Sequence, residues 1–141
     1  MRERTYLFVY GTLMNGMEAE ELLVDKSARL IGRGKISGEL VDLGEFPGAI
    51  QSTNPSDVVF GEVYELPGEA VLRRLDAYEE YDTANPAGSL FLRDRVQVEL
   101  VDKPGVGVEA WTYFYNQRRG RPKGRPIRSG DYRSYRQPVS S

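Results

Sequence analysis

Two adjacent glutamates, Glu79 and Glu80, follow a stretch with helical spacing, and Glu79 is the residue best placed for proton chemistry. Val71, Leu75 and Tyr78 recur at i, i+4 and i+7 behind Pro67-Gly68-Glu69, which reads as a helix start. This spacing predicts a helix over about Glu69–Tyr78, with Glu79 at its end. A carboxylate there meets the negative end of the helix dipole. Asp76 and Glu80 add like charge, and partial burial beside Tyr78 acts in the same direction. All three effects raise the Glu79 pKa toward the range where a carboxylate can take and return a proton. The same residues also read as an exposed acidic helix end, the commoner role of such a charge run.

A second feature could hold what Glu79 acts on. Leu7-Phe8-Val9-Tyr10 reads as a buried strand running into Gly11-Thr12-Leu13-Met14-Asn15-Gly16, with a helix expected from about Met17 to Val24. Gly11 permits an unusual φ or a close approach to a ligand. A glycine loop between strand and helix leaves backbone N–H groups free for a carboxylate or an oxyanion. Its plain alternative is a structural turn.

The chain has no cysteine and no histidine. Disulfides, thiolate nucleophiles, Cys/His zinc sites and Ser-His-Asp or Cys-His mechanisms are therefore excluded. Near neutral pH, acid–base work falls to a carboxylate, lysine, tyrosine or the terminal amine. The 141 residues suit one domain with a real core, at 40% hydrophobic and 28% charged. No apolar run is long enough to span a membrane, and none reads as a signal peptide, so a cytoplasmic protein is expected. The net charge of −2 hides an asymmetry. Residues 1–117 carry 11 Lys and Arg against 20 Asp and Glu, and residues 118–141 carry 8 against 1. Such a basic tail can bind nucleic acid, the least favoured reading, or fold back on its own acidic body.

The elements that must position these residues are mostly strands. Ala28–Val41, broken by Gly32, Gly34 and Gly38, reads as a glycine-rich strand or strand pair with bends or bulges. Val58–Leu66 follows the turn Asp42–Gly48. Leu90–Leu100 alternates, with Val96, Val98 and Leu100 inward, and Val108–Tyr115 returns as its antiparallel partner. Strands that cluster around two helices favour α+β with a mixed, curled sheet. Trp111, Tyr113 and Tyr115 share one strand face, which reads as core packing or, less often, a ligand wall. Glu62 with Glu65, or Asp42 with Glu45, are weak cation pairs better read as surface charge. Arg118–Arg125 reads as lacking regular structure, whereas Ile127–Tyr132 reads as a structural turn.

Taken in order, several of these stretches resemble the γ-glutamylcyclotransferase-like family, of the γ-glutamylamine cyclotransferase type. They are Tyr10-Gly11-Thr12-Leu13, Asp42–Gly48, Gly61–Leu66, Leu75-Asp76-Ala77-Tyr78-Glu79, Arg93-x-x-Val96-x-Val98 and Ile127–Tyr132. The resemblance implies a small mixed β-barrel with a few flanking helices. It implies a catalytic barrel domain over 1–117 and a basic tail over 118–141 partly packed on it. It also implies that Tyr10, Gly11, Thr12, Leu13 and Tyr113 bind a γ-glutamyl substrate while Glu79 acts as general base. The expected reaction is intramolecular aminolysis to 5-oxoproline, with no metal or cofactor and no membrane or nucleic-acid partner. A non-catalytic binding module on the same fold is the alternative. Three features depart from the family pattern: Glu80 where glycine is usual, Phe91 where an aromatic hydroxyl is common, and a long loop at Tyr81–Ser89.

Overall fold

Alternation and glycine placement explain the sheet that forms. The computed structural model describes residues 4–14, 17 and 28–136. The helix expected from Met17 to Val24 lies outside these, apart from Met17. Among the described residues seven strands run in chain order: β1 (Thr5–Val9), β2 (Arg29–Asp42), β3 (Pro47–Gln51), β4 (Val58–Leu66), β5 (Phe91–Leu100), β6 (Gly107–Tyr115) and β7 (Arg125–Pro126). Helix α1 (Ala70–Tyr78) lies between β4 and β5, and a short helix α2 (Tyr132–Arg136) follows β7. Single 3₁₀ turns occupy Pro86–Gly88 and Gln117–Arg119.

Five strands close a barrel in the order β2-β4-β1-β6-β5, with β5 returning to β2. β1 and β6 are parallel and the other pairs antiparallel, so the barrel is mixed. The glycine-rich segment is one 14-residue strand, not a pair. It bulges between Leu30 and Gly32. At Gly34 it faces Gly61 on one side and Leu100 on the other. A Cβ on Gly34 would lie 2.5 Å from Val98 Cγ1, so glycine permits the close pass that shuts the barrel. The core on the two faces of this sheet includes Leu7, Phe8, Val59, Val63 and Val98, each at most 1% exposed.

Helix α1 lays Val71, Leu72 and Leu75 into this core. Tyr78, expected on the same apolar face, is instead 43% exposed. The buried residue of that last turn is Asp76. Beyond β6 the chain folds back on the barrel. β7 pairs with Val41 and Asp42 of β2, and Ile127 N–H donates to the Leu40 carbonyl at 2.8 Å. Ile127 and Tyr132 are buried, and Arg133 pairs with Glu62 at 3.1 Å. Within Arg118–Arg125, read as irregular, the 3₁₀ turn and the start of β7 are regular.

Candidate active site

The end of α1 places Glu79. Tyr81 N–H donates to the Asp76 carbonyl at 2.8 Å and Glu80 N–H to the Ala77 carbonyl at 3.3 Å. These two bonds are the reciprocal closure of a Schellman motif. That motif calls for a left-handed residue one past the cap, and Glu80 supplies it with φ +55°. A Cβ in this region costs about 1–2 kcal/mol, a strain that glycine would not carry. The turn swings Glu79 off the helix axis and into a concavity. Just beyond it, Asn116, fully buried, donates to the carbonyls of Pro86, Ala87 and Ser89 and holds the long 81–89 loop in shape.

A buried ionic cluster braces the same turn. Arg93 on β5 donates from Nε to Asp76 Oδ1 at 2.7 Å and from Nη2 to Oδ2 at 3.0 Å. The Tyr113 hydroxyl lies 2.6 Å from Asp76 Oδ1 and 3.2 Å from the Leu72 carbonyl. In the sequence Asp76 reads as a like charge near Glu79 and as part of a motif, and Arg93 only as part of a motif. Their pairing joins α1 to the sheet across 17 residues of sequence.

On the other side stands the loop after β1. The buried Tyr10 hydroxyl donates to the Tyr113 carbonyl and accepts from Ala49 N–H at 3.1 Å. Burial, with the Glu79 charge adding to it, pushes the Tyr10 phenol well above its ordinary pKa. Tyr10 therefore stays neutral and fully engaged. Gly11 serves close approach to a neighbouring segment, not a positive φ: a Cβ there would meet Pro47 Cγ at 2.7 Å. Met14 N–H closes the turn onto the Gly11 carbonyl at 3.0 Å. Among the described residues, the N–H groups of Gly11, Thr12 and Leu13 have no acceptor. The Thr12 hydroxyl bonds the Tyr78 hydroxyl at 2.8 Å, tying the loop to the end of α1.

Between loop and helix end lies a cavity of about 360 Å³. Glu79, Tyr10, Gly11, Thr12, Leu13 and Tyr113 all line it. Four further segments, less evident in the sequence, complete it: Phe8-Val9, Glu45-Phe46-Pro47, Tyr78 with Glu80, and Leu90-Phe91. Phe91 packs edge-to-face on Phe46, with ring centroids 5.7 Å apart, so its lack of a hydroxyl gives an apolar wall. Trp111 stands apart from the cavity, stacked between Arg93 and Arg95, each 4.6 Å from its centroid. Glu62 and Glu65 are paired with Arg133 and Arg29, and Asp42 accepts from Tyr135 and Gly44. Among the described residues, no group of three or more acidic side chains is gathered as metal ligands.

Glu79 keeps some solvent contact at the cavity surface, yet protein encloses it on most sides. That desolvation raises its pKa from 4.5 to about 7. Like-charge repulsion, expected from Asp76 and Glu80, is not the cause. Arg93 takes up the Asp76 charge, and the Glu80 side chain is exposed. The arrangement sets a carboxylate able to exchange a proton near neutral pH in one cavity with the loop residues Gly11, Thr12 and Leu13.

A closed mixed barrel with a cavity between its first loop and a helix-end carboxylate defines the fold class to which this chain belongs. In particular, the chain is a member of the gamma-glutamyl cyclotransferase, AIG2-like family, whose model matches residues 7–134. A Methanocaldococcus jannaschii protein with a provisional gamma-glutamylcyclotransferase name is 33% identical over 132 residues, covering 93% of this chain and 98% of its own. The Mus musculus gamma-glutamylaminecyclotransferase is 32% identical over 120 residues, or 77% of this chain and 76% of that one. The crystal structure of a Mus musculus AIG2-like protein superimposes with TM-score 0.65 at 30% identity, over 80% of this chain and 78% of its own.

Proposed function

We propose that this protein is a cyclotransferase that releases 5-oxoproline from a γ-glutamyl amine, with Glu79 as general acid and base. One observation carries the reading. Glu79 has no ion-pair partner among the described residues, its pKa is raised to about 7, and it shares a cavity with the open N–H groups of residues 11–13. The substrate α-carboxylate, or the oxyanion that forms at the amide, is held by those donors. Glu79 takes a proton from the α-ammonium group, which is mostly protonated at neutral pH and cannot attack until a base has removed that proton. The freed amine attacks the γ-carbonyl of its own side chain. A C–N bond forms in the five-membered ring, Glu79-H protonates the leaving nitrogen as the amide C–N bond breaks, and the second proton of the ring nitrogen passes through Glu79 to the released amine, which departs as an ammonium ion. Ring closure is intramolecular, so holding the γ-glutamyl group in a bent conformation supplies much of the acceleration. In this reading Tyr10 and Tyr113 give the cavity its floor through their rings, their hydroxyls being engaged within the protein.

The test is 5-oxoproline release from a panel of γ-glutamyl amines and γ-glutamyl amino acids. Wild type is expected to turn over at least one of them, and Glu79→Gln to lose at least about 10²-fold in kcat, the scale of general acid–base catalysis. Full activity in a folded Glu79→Gln protein would remove the assignment. Ligand binding without any 5-oxoproline would favour a non-catalytic binding module.

A further inference from the structure

We propose that Glu45 and Glu80 select the leaving amine, which carries an alkyl chain ending in an ammonium group with no carboxylate beside it. The inference rests on the cyclotransferase reading above and concerns the part of the cavity that reading leaves unused. The loop N–H groups and Glu79 suit the amino-acid end of a γ-glutamyl group. The remaining wall is of a different character. Phe46, Leu90 and Phe91 make it apolar, with the two rings edge-to-face at 5.7 Å. Exposed Glu45 and Glu80 add carboxylates to the lining, and among the described residues no Lys or Arg lines the cavity.

Both glutamates are held in place by their backbones. Glu45 sits in the turn between β2 and β3, pinned by Leu43 N–H to the Phe46 carbonyl at 3.0 Å and by Gly44 N–H to Asp42 Oδ1 at 2.8 Å. Glu80 is fixed by the left-handed closure of α1. Neither side chain has an ion pair or hydrogen bond among the described residues. An apolar wall accepts methylene groups, and the aromatic faces and carboxylates beside it attract an ammonium. A released amino acid would bring its own carboxylate into the same field, against like charge. An uncharged alkylamine would fill the apolar wall and gain nothing from the glutamates.

Three substrates of matched length separate these cases: γ-glutamyl-1,5-diaminopentane, γ-glutamyl-n-pentylamine and ε-(γ-glutamyl)lysine. Each is assayed for 5-oxoproline at low and at high NaCl, with wild type and with the Glu45→Gln/Glu80→Gln double variant. In wild type at low salt the diamine is expected to exceed the pentylamine in kcat/KM by about tenfold, the lower end of what charge-lined clefts produce, and also to exceed the lysine compound. The diamine-to-pentylamine ratio should shrink with salt, because the two carboxylates are exposed, and approach one in the double variant. A wild-type ratio near one overturns the proposal, as does a lysine compound that outpaces the diamine. A preference that survives in the double variant overturns the assignment to Glu45 and Glu80. Absence of 5-oxoproline from all three compounds overturns the cyclotransferase reading and this one with it, an outcome distinct from turnover without charge preference.

Discussion

At pH 8 an ionised Glu79 weakens the folded state, because the cavity desolvates a charge that the unfolded chain exposes to water. Its folded pKa of about 7 lies above its ordinary 4.5, so between those values the native protein binds more protons than the unfolded one. The sign follows: this contribution to stability is fully present below about pH 4.5 and is lost as pH rises through 7. Glu79→Gln is therefore expected to raise the melting temperature at pH 8 and to leave it nearly unchanged at pH 4.5. The shift corresponds to about 2–3 kcal/mol, allowing for partial solvent screening. Melting curves of both proteins at the two pH values check this, and equal Tm differences at both would sink it. The same titration should appear in catalysis, as a kcat/KM that rises with pH through about 7. A rising limb near pH 4.5 would mean that the group doing the work is an ordinary exposed carboxylate.

The end of α1 is the element on which the site depends, and it holds both a strained residue and a strong brace. Glu80 occupies a left-handed conformation that glycine adopts freely. Glu80→Gly is expected to stabilise the protein by about 0.5–1 kcal/mol, the relief of αL strain less the entropy gained by the unfolded chain. Urea midpoints measure this, and a loss of stability would show that Glu80 makes side-chain contacts that outweigh its strain. Asp76→Ala removes one partner of a buried, bidentate ion pair and strands Arg93. A loss of about 3–5 kcal/mol is expected, with activity falling as the turn that carries Glu79 loosens. A near-neutral Asp76→Ala would mean that water readily replaces the carboxylate.

On the scale of the whole molecule, the C-terminal segment completes the barrel surface. Ile127 and Tyr132 are 3% and 2% exposed, and burying side chains of this size is worth roughly 1.5–3 kcal/mol each. Truncation after Gln117 also strips β7 from β2 and leaves Glu62 without Arg133. The truncated chain is expected to lose cooperative unfolding, or several kcal/mol of stability, in a denaturant titration. An unchanged transition would mark residues 118–141 as a dispensable tail. Among the described residues no helix is long and apolar enough to cross a membrane.

What the sequence determined by itself is local and periodic. The i, i+4, i+7 spacing located α1 to within a residue, and the alternation through Val96, Val98 and Leu100 located β5 and its pairing with β6. The absence of cysteine and histidine narrowed acid–base chemistry to a carboxylate, lysine, tyrosine or the terminal amine before any fold was known. Barrel closure and the meeting of the Tyr10–Leu13 loop with Glu79 were legible only through the ordered resemblance to a family, since periodicity carries no register between distant strands. The exposure of Tyr78 and the burial of Asp76 changed the helical-face reading in the last turn, while Val71 and Leu75 lie on the buried face as expected. Period alone could not foresee that Thr12 would bond a tyrosine hydroxyl or that Arg93 would reach back to neutralise an aspartate. Glu45, Phe46 and Leu90 lay unremarked as cavity residues, because they come from different turns that only the closed sheet brings together. Dipole, like charge and partial burial all read from the sequence as causes of an upward Glu79 pKa shift, and the tertiary structure singled out burial. Dipole and neighbouring charge can be read along a chain, whereas desolvation depends on which walls fold around the carboxylate.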